Sequence, residues 1–114
     1  MGKLVLGVVV CVVAVVAIVL SIQEQQIRMT SEAAHATLEQ ALANEESVTD
    51  AEVHQRLGRE PSVVRVPAKH RLVEEYHWAG NFRTYTVYVY YTTAATKLLT
   101  AVSMNEPMPE WERE

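Results

Sequence analysis

Nineteen consecutive residues near the start, LVLGVVVCVVAVVAIVLSI from Leu4 to Ile22, carry no charge. As a helix rising about 1.5 Å per residue, such a run reaches roughly 28 Å, the thickness of a bilayer's hydrocarbon core. Its valines are modest helix formers in water, but lipid leaves the backbone no alternative to a helix. A secretory signal peptide has a shorter apolar region, about 7–15 residues, and ends at a small-x-small site. Here SIQEQQIR follows, with no such site. Residues 1–22 therefore read as an uncleaved transmembrane signal-anchor, with a cleaved signal peptide as the alternative. Cys11 does not mark a lipoprotein. Val8, Val9 and Val10 precede it where a small residue is required, and the apolar run continues for eleven residues beyond it. Gly2 is no myristoylation signal, because position 6 is Leu. Lys3 and the amino terminus lie before the run, whereas Glu24 and Arg28 after it cancel. This bias places the N-terminus in the cytoplasm and the body outside it, in a periplasmic space. A single cysteine excludes an intrachain disulfide.

Residues 23–46 read as a membrane-proximal helix continuing out of the bilayer. Ile27, Ala34, Leu38, Ala41 and Leu42 recur at helical spacing, opposite Glu24, Glu32, Glu39 and Glu46. This stripe has three uses open to it: packing on the domain, pairing with a second copy through residues 27–42, or spacing. Thr30 and Ser31 are its weak point, where a break is expected if there is one. In SVTDAEVHQRLGREP, Thr49 is an N-cap and Glu52 completes a capping box. Val48 and Val53 can staple the start, and Gly58 supplies a left-handed stop before Pro61. A short helix over 50–57 follows.

Seven of the chain's eight aromatic rings fall within EEYHWAGNFRTYTVYVYY, residues 74–91. Gly80-Asn81 is a two-residue hairpin signal between runs 72–79 and 82–92. That turn sets Ala79 against Phe82, Trp78 against Arg83, Tyr76 against Tyr85, Glu74 against Val87 and Leu72 against Val89. One face then carries Leu72, Tyr76, Trp78, Tyr85, Val87, Val89 and Tyr91 and is the core face. The other carries Val73, Glu75, His77, Phe82, Thr84, Thr86, Tyr88 and Tyr90. Glu74 is a misfit on the core face and is expected near the sheet's margin. Residues 97–104 form a third strand, reached through 92–96, with either of its faces inward. Val63–Val66 reads as a short strand or extended loop ended by Pro67. The tail, residues 105–114, holds two prolines and four acids and is expected to be disordered. Trp111 is unusual there. The fold class is α+β: a transmembrane helix, then helices on one face of a three-stranded antiparallel meander, the small domain spanning 47–104.

The stretch TDAEVHQRLGREP, Thr49 to Pro61, followed by Tyr76-x-Trp78 and a strand with Val87 and Val89, resembles the SmpA/OmlA (BamE-like) family. Its members are small lipoprotein subunits of the outer-membrane barrel assembly machine. The similarity covers roughly residues 47–104. It implies a small α+β envelope domain. Family members are lipid-anchored through a cysteine, whereas here the apolar run would serve as the anchor.

Chemistry is sparse. His35, His54, His70 and His77 lack metal-ligand spacing. Glu74 and Glu75 are adjacent on a strand and point to opposite faces. No phosphate loop or nucleophile constellation occurs, so no enzyme, cofactor or metal is expected. A net charge of −4 gives no reason to expect nucleic acid. Acids dominate residues 23–54, seven against one base, and bases dominate 55–97, seven against three acids. Arg56, Arg59, Arg65, Lys69 and Arg71 put five cations into 16 residues. They are either a loop neutralised by the acidic helix or a contact for anionic lipid or acidic protein. The outer sheet face offers His77, Phe82, Thr86, Tyr88 and Tyr90 to a partner. The favoured function is a non-enzymatic, membrane-tethered extracytoplasmic interaction module, with another envelope protein as partner. The alternative is a small-ligand or lipid-sensing domain with a pocket between sheet and helix.

Overall fold

The computed structural model describes residues 2–44, 46–93 and 97–112. Residues 94–96 of the expected connection and 113–114 of the tail lie outside them. The elements are α1 (Gly2–Ala43), α2 (Asp50–Leu57), β1 (Val63–Ala68), β2 (Arg71–Ala79), β3 (Thr84–Thr92), β4 (Leu98–Met104) and α3 (Pro109–Glu112). The class is α+β, with one antiparallel sheet in the order β1-β2-β3-β4.

The expected three strands are four. Val63, Val64 and Arg65 pair with Glu75, Glu74 and Val73 of β2, so the segment before Pro67 is an edge strand. Pro67 does not end it. The proline sits at a register irregularity between Arg65 and Ala68, on an edge where its missing N–H is not needed.

α1 runs 42 residues without a break, about 63 Å at ordinary helical rise. The Thr30 hydroxyl donates to the Gln26 carbonyl at 2.9 Å and the Ser31 hydroxyl to the Arg28 carbonyl at 2.7 Å. Both polar groups are thus satisfied within the helix. The apolar first half is exposed. The second half lies on β4, β3 and β2, with Ser31, Leu38 and Ala41 buried. Of the stripe over 27–42, Leu38 and Ala41 are buried against the domain, while Ile27, Ala34 and Leu42 are partly buried. α2 is bounded as its residues predict. Glu52 N–H donates to Thr49 Oγ1 at 3.3 Å, and Gly58 adopts φ 67°, ψ 25°.

The β2–β3 hairpin departs from the expected turn. Its loop is Gly80 to Arg83, closed by the Gly80 N–H donating to the Arg83 carbonyl at 2.9 Å. Trp78 pairs with Tyr85, Tyr76 with Val87, Glu74 with Val89 and Leu72 with Tyr91. Every partner has moved by two residues. An even shift keeps parity, so the faces stand although the pairs do not. In β4 a bulge lies where Tyr90 pairs with Ala101 but Tyr91 with Leu99. Leu99 and Val102 thereby reach the inner core while Ala101 turns outward.

The inner core joins Leu38, Val48, Val53, Leu72, Tyr76, Val87, Val89, Tyr91 and Leu99. Each fully buried aliphatic side chain contributes about 1.5–3 kcal/mol relative to exposure. A second cluster forms on the outer face from Val73, Tyr90 and Ala101, covered by Met108 and Trp111. Where disorder is expected, residues 109–112 of the tail form the short helix α3, and Met108 and Trp111 pack on this cluster. The tail's apolar residues close an outer face that the strands alone leave open.

Candidate functional site

Glu74 lies at the centre of the inner face, not at its margin. β2 is flanked by β1 and β3, and Glu74 is only 4% exposed. Tyr91 and Tyr76 donate their hydroxyls to its Oε1 at 2.9 and 3.2 Å. His54 of α2 brings Nε2 within 2.9 and 3.0 Å of the two carboxylate oxygens. Strand alternation puts Tyr76 two residues along on the same face, and the capped α2 aims His54 at the pair. Burial, then the neighbouring Glu74 charge, pushes both tyrosine hydroxyls well above the usual phenol range. They stay protonated donors. The space around them is filled by side chains, Tyr76, Tyr91, Val53 and Leu38 being 0% exposed. The group fastens α2 to the sheet. Among the described residues, no three His, Cys, Asp or Glu side chains are placed to hold a metal ion.

The five outer-face candidates do not form one surface. Tyr90 is 2% exposed, and its hydroxyl accepts from the Met108 N–H at 2.7 Å. Its ring lies 6.3 Å from that of Trp111. Burial pushes its hydroxyl pKa up, as it does at half-buried Tyr88, where the Glu75 charge adds to the shift. Phe82 is not on the sheet at all but in the β2–β3 loop, 67% exposed. His77 and Thr86 pair across β2 and β3 and are both partly buried. His77 Nε2 lies 3.3 Å from Glu75, and the Thr86 N–H donates to Asn105 at 3.1 Å.

Four of the five basic candidates are engaged within the chain. Arg56 contacts Glu46 at 3.4 Å. Arg59 donates to the His77 carbonyl at 2.9 Å and stacks 4.6 Å above Trp78. Arg65 bridges Glu75 and Glu112, both at 2.6 Å, and Glu112 is the first cause holding its guanidinium above the usual arginine value. Arg71 donates to the Glu110 carbonyl and lies 5.2 Å over Trp111. Arg65 and Arg71 thus clamp α3. Lys69 is exposed at the β1–β2 turn.

Two features carried no sequence signal strong enough to find. At one end of the sheet, the Glu24 carboxylate of α1 grips the β2–β3 loop. It accepts from the Asn81 and Phe82 N–H groups at 2.6 and 3.3 Å and from the Tyr85 hydroxyl at 2.8 Å. Asn81 Nδ2 donates in turn to the Leu20 carbonyl at 3.2 Å and to Gln23 at 3.1 Å. Partial desolvation raises the Glu24 pKa, but the hydrogen bonds from Tyr85 and the loop backbone outweigh it and hold the pKa below its usual value. At the sheet's edge, Val63, Val64 and Val66 of β1 are 37, 56 and 70% exposed. The opposite edge is partly taken, because the Leu99 N–H of β4 donates to the Val48 carbonyl at 2.8 Å.

No family model matches this chain, and no curated protein or solved structure is significantly similar to it.

Proposed function

We propose that this chain is a non-enzymatic, single-pass membrane-tethered module that holds a small extracytoplasmic domain close to the bilayer for contact with another envelope protein. Residues 4–22 would cross the membrane with the N-terminus in the cytoplasm. The observation that carries this reading is the continuity of α1. One helix long and apolar enough to cross a membrane runs unbroken into the domain core through Leu38 and Ala41. The resemblance to the SmpA/OmlA family over 47–104 points to the same setting, envelope assembly. The partner surface is the β1 edge, where Val63, Val64 and Val66 are exposed and Val63 pairs with Glu75, two residues before the partly buried His77 on the same face. An edge strand offers unpaired backbone groups as well as side chains, so a partner strand can extend the sheet.

A photo-reactive residue at Val66 of the full chain, irradiated in native membranes, tests this. One discrete protein adduct is expected, lost when Val64→Asp is added. Equal adducts from the same probe at Glu39, or none at Val66, would refute the β1 surface. Lipid adducts alone would favour the lipid-sensing alternative.

A further inference from the structure

The β2–β3 loop is fastened to α1 at a definite height. Asn81 Nδ2 reaches the carbonyl of Leu20, two residues before the last apolar residue of the run, Ile22. Two residues are about 3 Å of helix. The same loop meets Gln23 and Glu24 one turn further on. Its height is therefore the boundary between the apolar and polar halves of α1. At that height stands Phe82, beside Ser21, Gln25 and Arg28. It is the chain's only phenylalanine and is 67% exposed, the one large apolar ring left bare. Arg28 and Arg83 flank it, the latter 5.0 Å over the Tyr85 ring. An aromatic ring beside cations and amides is the combination that settles at a headgroup boundary, apolar body inward and polar atoms in the wet layer.

The loop is shaped for this height. A Cβ at Gly80 would run into the Glu24 carboxylate and lie 2.6 Å from the Arg83 carbonyl. Only glycine lets the loop close on the helix, so its level is set by packing rather than by chance. The opposite end of the hairpin, at Arg71 and Trp111, lies about 26 Å away along β2 at ordinary strand rise.

We infer that the Gly80–Arg83 loop is a membrane-contact element whose Phe82 ring seats in the interface of the bilayer that α1 crosses. This rests on the proposed spanning role of residues 4–22. It adds that the body touches the bilayer and is held upright by two points, the helix and the loop. The sheet's long axis is then set against the membrane, and the β1 edge is presented sideways to other proteins.

The full chain, with no residue substituted, in phosphatidylcholine nanodiscs tests both statements apart. Phenylalanine and tryptophan are labelled at their ring carbons, and the lone Cys11 carries a small fluorinated tag. Line broadening is read with a lipid bearing a nitroxide near the headgroup, and separately with a water-soluble gadolinium chelate. The expected result is lipid-nitroxide broadening of the Phe82 ring several-fold above that of the Trp111 ring, with Cys11 shielded from gadolinium. Cys11 shielded but Phe82 no more lipid-broadened than Trp111 would overturn the inference while leaving the span intact. Cys11 open to gadolinium would overturn the span and the inference with it.

Discussion

Two buried tyrosine hydroxyls and a histidine converge on the Glu74 carboxylate, a group that strand alternation turns inward beside Tyr76. Removing the acceptor would strand both hydroxyls away from water, and each unpaired buried donor costs about 1–3 kcal/mol. Glu74→Ala should therefore destabilise the full chain in micelles by at least about 2 kcal/mol, read by thermal unfolding. Glu74→Gln, which keeps an acceptor oxygen, should cost less. Glu74→Leu combined with Tyr76→Phe and Tyr91→Phe should recover most of the loss, because deleting both hydroxyls and the acceptor leaves only the partly exposed His54 without its partner, where water can reach it. A triple variant no more stable than Glu74→Ala would show that the group matters through shape instead. The sequence marked Glu74 as out of place on an apolar face. It could not supply the partners, since His54 stands 20 residues away and Tyr91 stands 17 away.

At the scale of elements, α2 was legible because its ends are written locally: Thr49 bonds three residues on, and Gly58 takes the left-handed turn. Gly58→Val should cost about 1 kcal/mol or more, since a branched residue is poor at positive φ. An unchanged melting temperature would mean the turn can be remade. β4 was not legible. Its bulge opposite Tyr90 and Tyr91 mixes the two alternating sets, so neither Leu98-Thr100-Val102 nor Leu99-Ala101-Ser103 is the buried face. α3 was missed for another reason. Its acids read as a solvated tail until Arg65 and Arg71, distant in sequence, receive Glu112 and the Glu110 carbonyl. Trp111→Ala should detach it, at a cost below the roughly 3 kcal/mol of a fully buried aromatic because the ring is only partly buried. Hydrogen exchange at the Met108 amide should then quicken markedly, while the α2 amides stay slow. Global unfolding instead would show that the outer cluster belongs to one cooperative core.

For the molecule as a whole, the Glu24 clasp joins the β2–β3 loop to α1 beside the contacts that α1 makes with the sheet. Because Glu24 has its pKa depressed in the folded chain, its hydrogen bonds contribute stability that is full above the usual glutamate value of 4.5 and is lost as acid takes the pH down through the lower folded value. The Asn81 and Phe82 amide resonances should therefore shift in acid with a midpoint below 4.5, and Glu24→Gln should abolish that transition. A midpoint at or above the usual value would mean that the clasp is not formed in solution. The sequence by itself determined the elements whose cause is local. These are the apolar run long enough for a membrane, the capped α2, and the two faces of the hairpin, whose period-2 pattern survives any even shift in register. Tertiary structure decided what depends on residues far apart in the chain. The turn takes four residues rather than two, and the Asn81 N–H within it is satisfied by a carboxylate 57 residues away. The same kind of distant contact places Glu74 at the centre, covers Tyr90 and leaves Phe82 bare. Such contacts have no periodicity to read, since their partners meet only when the sheet has already folded against α1.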